Sequence, residues 1–426
     1  MKKKMISILL VALMLAMLLP TTALATESHN LTVTKNGASA AEGQDADYYW
    51  DDSILHILRS GLTVTGNTAE ERIYVEASAT DLTINNLNIV PTVWGGDNRT
   101  GISSRVESLK ITILGNNQLG NAVTFVSAEA TKQEEYFLDQ GIACRSNDFS
   151  MYDVTFTGNG NLTIYDAMRG IEAEDITFDE SFSGKLTVED RGLGKACAIE
   201  AWGGNVELLG GTFALTSHIS NGISAEEVTI KNCKVTVNGG PEGCGIECES
   251  LTVEGAGTEV VSHGATHGLK FGVFGGSITV KSGVIKLSGG EAALMSRDEV
   301  TVVLPEGLTM MGNTAENTFT NMQEATLKTD FRGDYYPYIG DTFAKSVMLG
   351  TPDNGGDGGD YYGNGLIIGG LIIGSLLSGG NDDTNTTNSN GTVTSADTAD
   401  MGIALYGVLS ISSLIGMGWV GKKRHE

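Results

Sequence analysis

Gly170-Ile171-Glu172-Ala173, Ala198-Ile199-Glu200-Ala201, Gly222-Ile223-Ser224-Ala225 and Gly245-Ile246-Glu247-Cys248 are four renderings of one phrase, and the stretch from Gly170 to Val253 that holds them decides the fold. After each phrase comes a short alternating segment: Ile176-Thr177-Phe178, Val206-Glu207-Leu208, Val228-Thr229-Ile230 and Leu251-Thr252-Val253. The phrase starts lie 28, 24 and 23 residues apart, and Gly101, Gly141, Gly268 and Ala292 continue the series on either side. Self-similarity at such a period is the mark of a repeat architecture. Strand side chains alternate faces, so within each phrase the Ile and the Ala or Cys two residues on point the same way, inward. Three short strands and their turns consume about 23 residues, one coil of a solenoid that rises about 4.8 Å per coil. An amphipathic helix would need apolar residues at i, i+3, i+4 and i+7, and no long run of that kind occurs. The expectation is an all-β, single-stranded right-handed parallel β-helix of about nine coils.

The ends of the chain read differently. Lys2, Lys3 and Lys4 precede an apolar run, and Ala23-Leu24-Ala25 follows it as an A-x-A site; residues 1–25 therefore read as a secretory signal peptide, with an uncleaved anchor as the competing reading. Residues 26–50 form a polar lead-in, and residues 46–70 are the candidate N-terminal cap. Residues 51–350 are the β-helix with its caps, the C-terminal one starting near Pro305 and using Tyr335, Tyr336 and Tyr338. Residues 351–400 are rich in Gly, Asp, Asn, Thr and Ser, the composition of a flexible spacer. Residues 401–420 carry no charge and are long enough to span a bilayer. The basic tail 421–426 would stay cytoplasmic, with everything before the span outside. Leu366–Leu377 is apolar but too short to span.

The formal net charge is −25, which disfavours nucleic acid and repels polyanions while attracting cations. Five cysteines in an exported chain invite a disulfide reading, but the coil register opposes it. Cys144 and Cys248 lie four coils apart, roughly 19 Å, where a bridge needs about 7 Å or less. They read as small core residues. His218, His263 and His267 read as exposed turn residues. No nucleophile elbow, phosphate loop or zinc signature occurs.

Beyond the phrases, Leu62-Thr63-Val64-Thr65-Gly66, Leu82-Thr83-Ile84-Asn85-Asn86-Leu87-Asn88-Ile89 and Gly115-Asn116-Asn117-Gln118-Leu119 recur in kind. With these motifs the chain, over roughly residues 50–300, resembles the bacterial extracellular β-helical proteins labelled carbohydrate-binding domain-containing. The resemblance implies a pectate-lyase-like β-helix and a sugar-binding role; it supplies no catalytic residues. The C-terminus is similar to the cell-wall sorting signal of Gram-positive surface proteins, but Ala396-Asp397-Thr398-Ala399-Asp400 stands where that signal reads Pro-x-Thr-Gly-Asp. Loss of the Gly favours a plain transmembrane anchor over covalent wall attachment.

Function would show on the outward residues. The third phrase position gives Glu172, Glu200, Ser224 and Glu247; the fifth gives Glu174, Trp202, Glu226 and Glu249. Six carboxylates and one Trp are thus expected on one sheet face, with neighbours about 5 Å apart. Three readings are open to it. It binds glycan with Trp202 as a stacking platform, assisted by a cation such as Ca²⁺. It is a lyase or glycoside hydrolase with two of the carboxylates as acid and base. Or it is a solvated acidic face on a stalk or protein-binding adhesin. The first is preferred: a surface-anchored, non-catalytic protein meeting an extracellular glycan or a host or cell-surface partner, held to the membrane by its C-terminal helix.

Overall fold

The computed structural model describes residues 29–373, apart from 91–99, 121–139, 147, 149, 166–168, 191–196, 273–274, 351–365 and 369–370. The signal peptide, most of the insertion between Gly115 and Gln140, the membrane span, the sorting-like motif and the basic tail lie outside the described residues, as does the spacer except for two short strands. Those two, Leu366–Ile368 and Leu371–Ile373, pair antiparallel.

The chain is an all-β, right-handed parallel solenoid of about eight turns. No helix occurs among the described residues. One eleven-stranded sheet carries the phrases. Its strands stack in unbroken register, so that Leu55, Ile73, Ile102, Ile142 and Ile171 sit directly above one another. The column continues through Ile199, Ile223, Ile246, Leu269 and Leu294. All ten are fully buried, and burying each such side chain is worth about 1.5–3 kcal/mol relative to leaving it exposed. The coils begin at Leu55, one phrase earlier than Ile73.

The other two faces of the coil merge into one 22-stranded sheet. In the second coil a single long strand, Asp81–Ile89, runs through both faces, pairing with Ser108–Leu114 by its first half and with Asn116–Leu119 by its second. One coil later Gly115, at φ +62°, breaks that strand in two. Glycine reaches this left-handed conformation without steric cost, so Gly115 makes the corner. Within the core Phe156 stacks on Phe178 with centroids 4.4 Å apart, and Phe178 meets Phe213 edge-on at 5.0 Å.

The phrase glycine has a packing cause. A Cβ on Gly141 would lie 2.5 Å from Ile164 Cγ2, and one on Gly170 or Gly222 would drive into Val188 or Val237. These partners are inward side chains of the last strand of the coil that each glycine opens, so Gly lets the corner close. Ala198 and, in the last coil, Ala293 are the tolerated exceptions among the phrases.

Both open ends are covered by antiparallel strands, which removes the exposed edge a parallel solenoid would otherwise present. At the N-terminus Leu31–Lys35 pairs with Leu62–Gly66, burying Leu31 and Val33. The buried Glu71 carboxylate accepts from the backbone N–H of Asn30 and Leu31. Capping therefore starts within residues 26–50, and Leu62–Thr68 belongs to the coils. At the C-terminus Ser346–Gly350 pairs antiparallel with Val284–Ser288. A three-stranded sheet of Thr326–Thr329, Tyr335–Ile339 and Thr342–Phe343 completes the cap. Tyr335 exchanges backbone hydrogen bonds with Ser296, and Tyr336 sits 6.1 Å from His267. Tyr338 packs on Phe343.

One register expectation is corrected. Phe271 does take the Cys248 slot, fully buried, but Met295 aligns with Lys270, not Phe271. The last phrase starts at Ala293 rather than Ala292, because this coil pairs with the one before it at an offset of 25 residues, Gly264 with Gly289 and Leu269 with Leu294.

If the glycine corner is a packing requirement, Gly222→Ala will destabilise the solenoid by about 1–3 kcal/mol through overpacking against Val237. Urea unfolding should show a lower midpoint with an unchanged slope; an unchanged midpoint would show that the corner yields freely.

Candidate functional site

Strand register places the seven candidate residues in two sets. Glu172, Glu200 and Glu247 lie on one outward column, with Ser224 between the last two. Lys270 continues the column one coil beyond Glu247. Glu174, Trp202, Glu226 and Glu249 stand in the turns just past these strands, and all four are exposed. Glu76, Arg105 and Arg145 form a separate run of turn residues nearer the N-terminus, cut off from Glu174 because Glu174 N–H donates to the Tyr152 carbonyl.

The expected ladder of mutually repelling carboxylates is corrected for the strand column. Glu172 is only 3% exposed, and cations reach it from two directions. Arg169 Nη1 lies 3.1 Å from its Oε1, and Arg145 Nη1 lies 3.9 Å from its Oε2. The same Arg169 guanidinium donates through Nε to Glu200, bridging two coils. Glu247 accepts from Lys270 Nζ at 2.6 Å and from Asn221 Nδ2. A carboxylate this deeply buried costs several kcal/mol unless paired and hydrogen-bonded, which is the physical reason for the arginines. Burial pushes the Glu200 carboxyl up, and Arg169 pulls it partly back.

Trp202 is held by this network. Its indole Nε1 donates to Glu172 Oε1 at 3.0 Å, and the Arg169 guanidinium carbon lies 5.4 Å from its ring centroid. Yet 49% of the residue stays exposed. A flat apolar ring is thus fixed in orientation and presented to solvent, with hydrogen-bonding groups at its edge.

Sequence reasoning missed Asn221 and Lys270, and it did not join Arg145 and Arg169 to the acids. Lys270 was legible, since it occupies the third position of Gly268-Leu269-Lys270-Phe271. Arg169 was harder to see, because it stands two residues before its Ile and reaches forward along the face. Arg145 and Arg105 read as remote from the acids, whereas Arg145 is one coil from Glu172.

Two histidines also differ from expectation. His263 and His267 are strand residues with side chains 12% and 8% exposed, not exposed turn residues. Burial lowers the pKa of each below its ordinary 6.5, partly opposed by Glu316 for His263 and by Glu291 for His267; Lys270 lowers His267 further. His218 does stand in a turn, 39% exposed and 3.6 Å from Glu189.

All five cysteines are free and buried. Burial pushes Cys144 and Cys233 up to about 12 and raises Cys244 and Cys248 as well, so these four are not thiolate nucleophiles at neutral pH. Among the described residues no group of three or more His, Cys, Asp or Glu is placed to hold a metal ion. A second aromatic run occupies the N-terminal end of the strand column: Tyr49 stacks on His56 at 4.4 Å, Tyr74 follows at 5.3 Å, and Arg105 lies over Tyr74.

Comparison with family models, with curated proteins and with solved structures gave no match to this chain.

Removing the bridging cation should expose the cost of the buried acid. Arg169→Met will cost about 3 kcal/mol, and adding Glu172→Gln will recover most of it, as measured by denaturant unfolding. Equal stability of Arg169→Met and the parent would show that Arg145 and Trp202 suffice. The histidines give a pH dependence. Their folded pKa values are depressed, so the unfolded chain binds more protons below pH 6.5 and stability falls as pH drops from about 7 through that window. His267→Gln should flatten the fall; an unaltered slope would place the effect elsewhere.

Proposed function

We propose that this protein is a surface-displayed, non-catalytic glycan-binding solenoid whose contact centre is Trp202. The observation that carries the reading is the half-exposed indole locked by Glu172 and Arg169. Stacking on a pyranose requires a flat apolar ring that need not be ordered on binding, and polar groups at its rim to meet hydroxyls. The likeness of the coil motifs to carbohydrate-binding β-helical proteins points the same way. Export by residues 1–25 and anchoring by residues 401–420 belong to this reading, with residues 351–400 as the spacer that carries the solenoid away from the membrane.

The second reading, a lyase or glycoside hydrolase, draws on Glu200, whose carboxyl is raised by burial, as a general acid's would be. Against it, Arg169 binds both Glu200 and Glu172, which ties the two carboxylates into a scaffold. A protein-binding adhesin or stalk is the third reading.

A glycan array probed with the folded ectodomain should show a discrete set of bound sugars, and Trp202→Ala should weaken each by about tenfold or more without loss of fold by circular dichroism. A silent array, or binding indifferent to Trp202→Ala, would overturn the reading. Release of reducing ends from a bound polysaccharide, abolished by Glu200→Gln, would convert it to an enzyme.

A further inference from the structure

The charge around Trp202 is uneven, and the imbalance names a ligand class. On the strand column the ions are matched: Arg145 and Arg169 stand against Glu172 and Glu200, and Lys270 against Glu247. On the turn column they are not. Glu174 precedes Trp202 by one coil and Glu226 follows it by one coil. Both are exposed, and neither side chain has an ion-pair or hydrogen-bond partner among the described residues.

The turn that holds Trp202 is packed against both neighbours. It is Trp202-Gly203-Gly204, with Gly203 at φ +70°. A Cβ on Gly204 would drive into the Glu174 carbonyl, and one on Gly203 would lie 3.8 Å from Glu226 Oε1. Glu226 N–H in turn donates to the Gly204 carbonyl at 2.8 Å. The backbones of three successive coils are therefore fixed side by side, so the turn that carries Trp202 lies between two turns that each carry an unpaired carboxylate, at about one coil spacing each. Glu172, which accepts from the indole Nε1, keeps its buried Oε2 without a hydrogen-bond donor.

We infer that the sugar held at Trp202 carries an ammonium group: the site takes an amino sugar with a free amine in preference to a neutral or acidic one. The inference rests on the glycan-binding reading above and deepens it. A protonated amine gains from the face of an indole, the best of the aromatic rings for a cation, and from the negative potential of a carboxylate carried by the turn on either side. A uronic acid would meet the same two carboxylates as like charges. Arg169 does not cancel the attraction, because its charge is already matched by the two acids it binds.

The experiment is a calorimetric titration of the folded ectodomain with three hexamers: glucosamine, N-acetylglucosamine and galacturonate. The glucosamine hexamer should bind at least tenfold more tightly than the N-acetyl hexamer, and the galacturonate hexamer should be weakest. Because an acidic chain attracts any cation, two double variants are compared. Glu174→Gln with Glu226→Gln should reduce the preference for the free amine by about tenfold. Glu306→Gln with Glu324→Gln, which removes the same charge from the exposed C-terminal cap, should leave it within about twofold. Trp202-dependent binding of the N-acetyl hexamer at equal or greater affinity would overturn the ammonium inference and leave the glycan reading standing. An equal loss in both double variants would overturn the inference too, by showing attraction to net charge. Failure of all three hexamers to bind would overturn it and count against the glycan reading for these sugar classes.

Discussion

Everything on this molecule depends on how closely one coil can lie on the next. The inward column from Leu55 to Leu294 can stack without interruption only if the corner before each strand closes tightly, and the corner closes because Gly141, Gly170 and Gly222 have no Cβ to strike Ile164, Val188 and Val237. Once the coils lie in register, main-chain hydrogen bonds set the spacing of every outward residue at the strand separation of about 4.8 Å. The outer surface thereby becomes a set of columns in which chemistry repeats along the axis. A side chain on one coil is always within reach of its neighbours above and below.

That geometry explains both the hazard and the remedy seen on the phrase face. Stacked glutamates would repel, and Glu172 is buried as well. The chain answers with cations offset along the axis. Arg169 lies two residues before its own Ile and bridges Glu172 to Glu200, Arg145 approaches Glu172 from the preceding coil, and Lys270 meets Glu247 from the following one. The same bridge fixes the indole of Trp202. Just outside it, Glu174 and Glu226 keep their charge open to solvent. A rigid neutral network inside and an uncompensated acidic pair outside is the electrostatic signature that the proposed ligand chemistry follows from.

The fold was legible because its cause is local: Gly, Ile and Ala or Cys at fixed offsets report a corner, a core position and a tight slot, whatever surrounds them. The face was legible only in part. Alternation told which side chains point outward, so Glu172, Glu200, Trp202 and Glu247 were found. It could not tell which of them would be covered, because burial of Glu172 depends on Trp202 and Arg145 arriving from other coils. Long side chains such as Arg169 reach across the register, so their partners do not follow from the spacing. The last coil was misread for a related reason. A 25-residue offset between the last two coils moves the phrase start to Ala293 and places Met295 in the Lys270 column, and nothing in the residue types near it announces the slip. His263 and His267 looked like turn residues beside Gly264 and Gly268, but the strands run through both positions.

The central claim is that the fixed, half-exposed Trp202 is where a sugar is held. Its most direct test is the indole N–H resonance of Trp202 in a ¹⁵N-labelled ectodomain, assigned by its loss in Trp202→Ala, during titration with the glucosamine hexamer. The account predicts that this resonance shifts saturably while that of Trp50, which stacks on His29 at the N-terminal cap, stays in place. A Trp202 resonance that remains unmoved through saturation of the binding isotherm would contradict it.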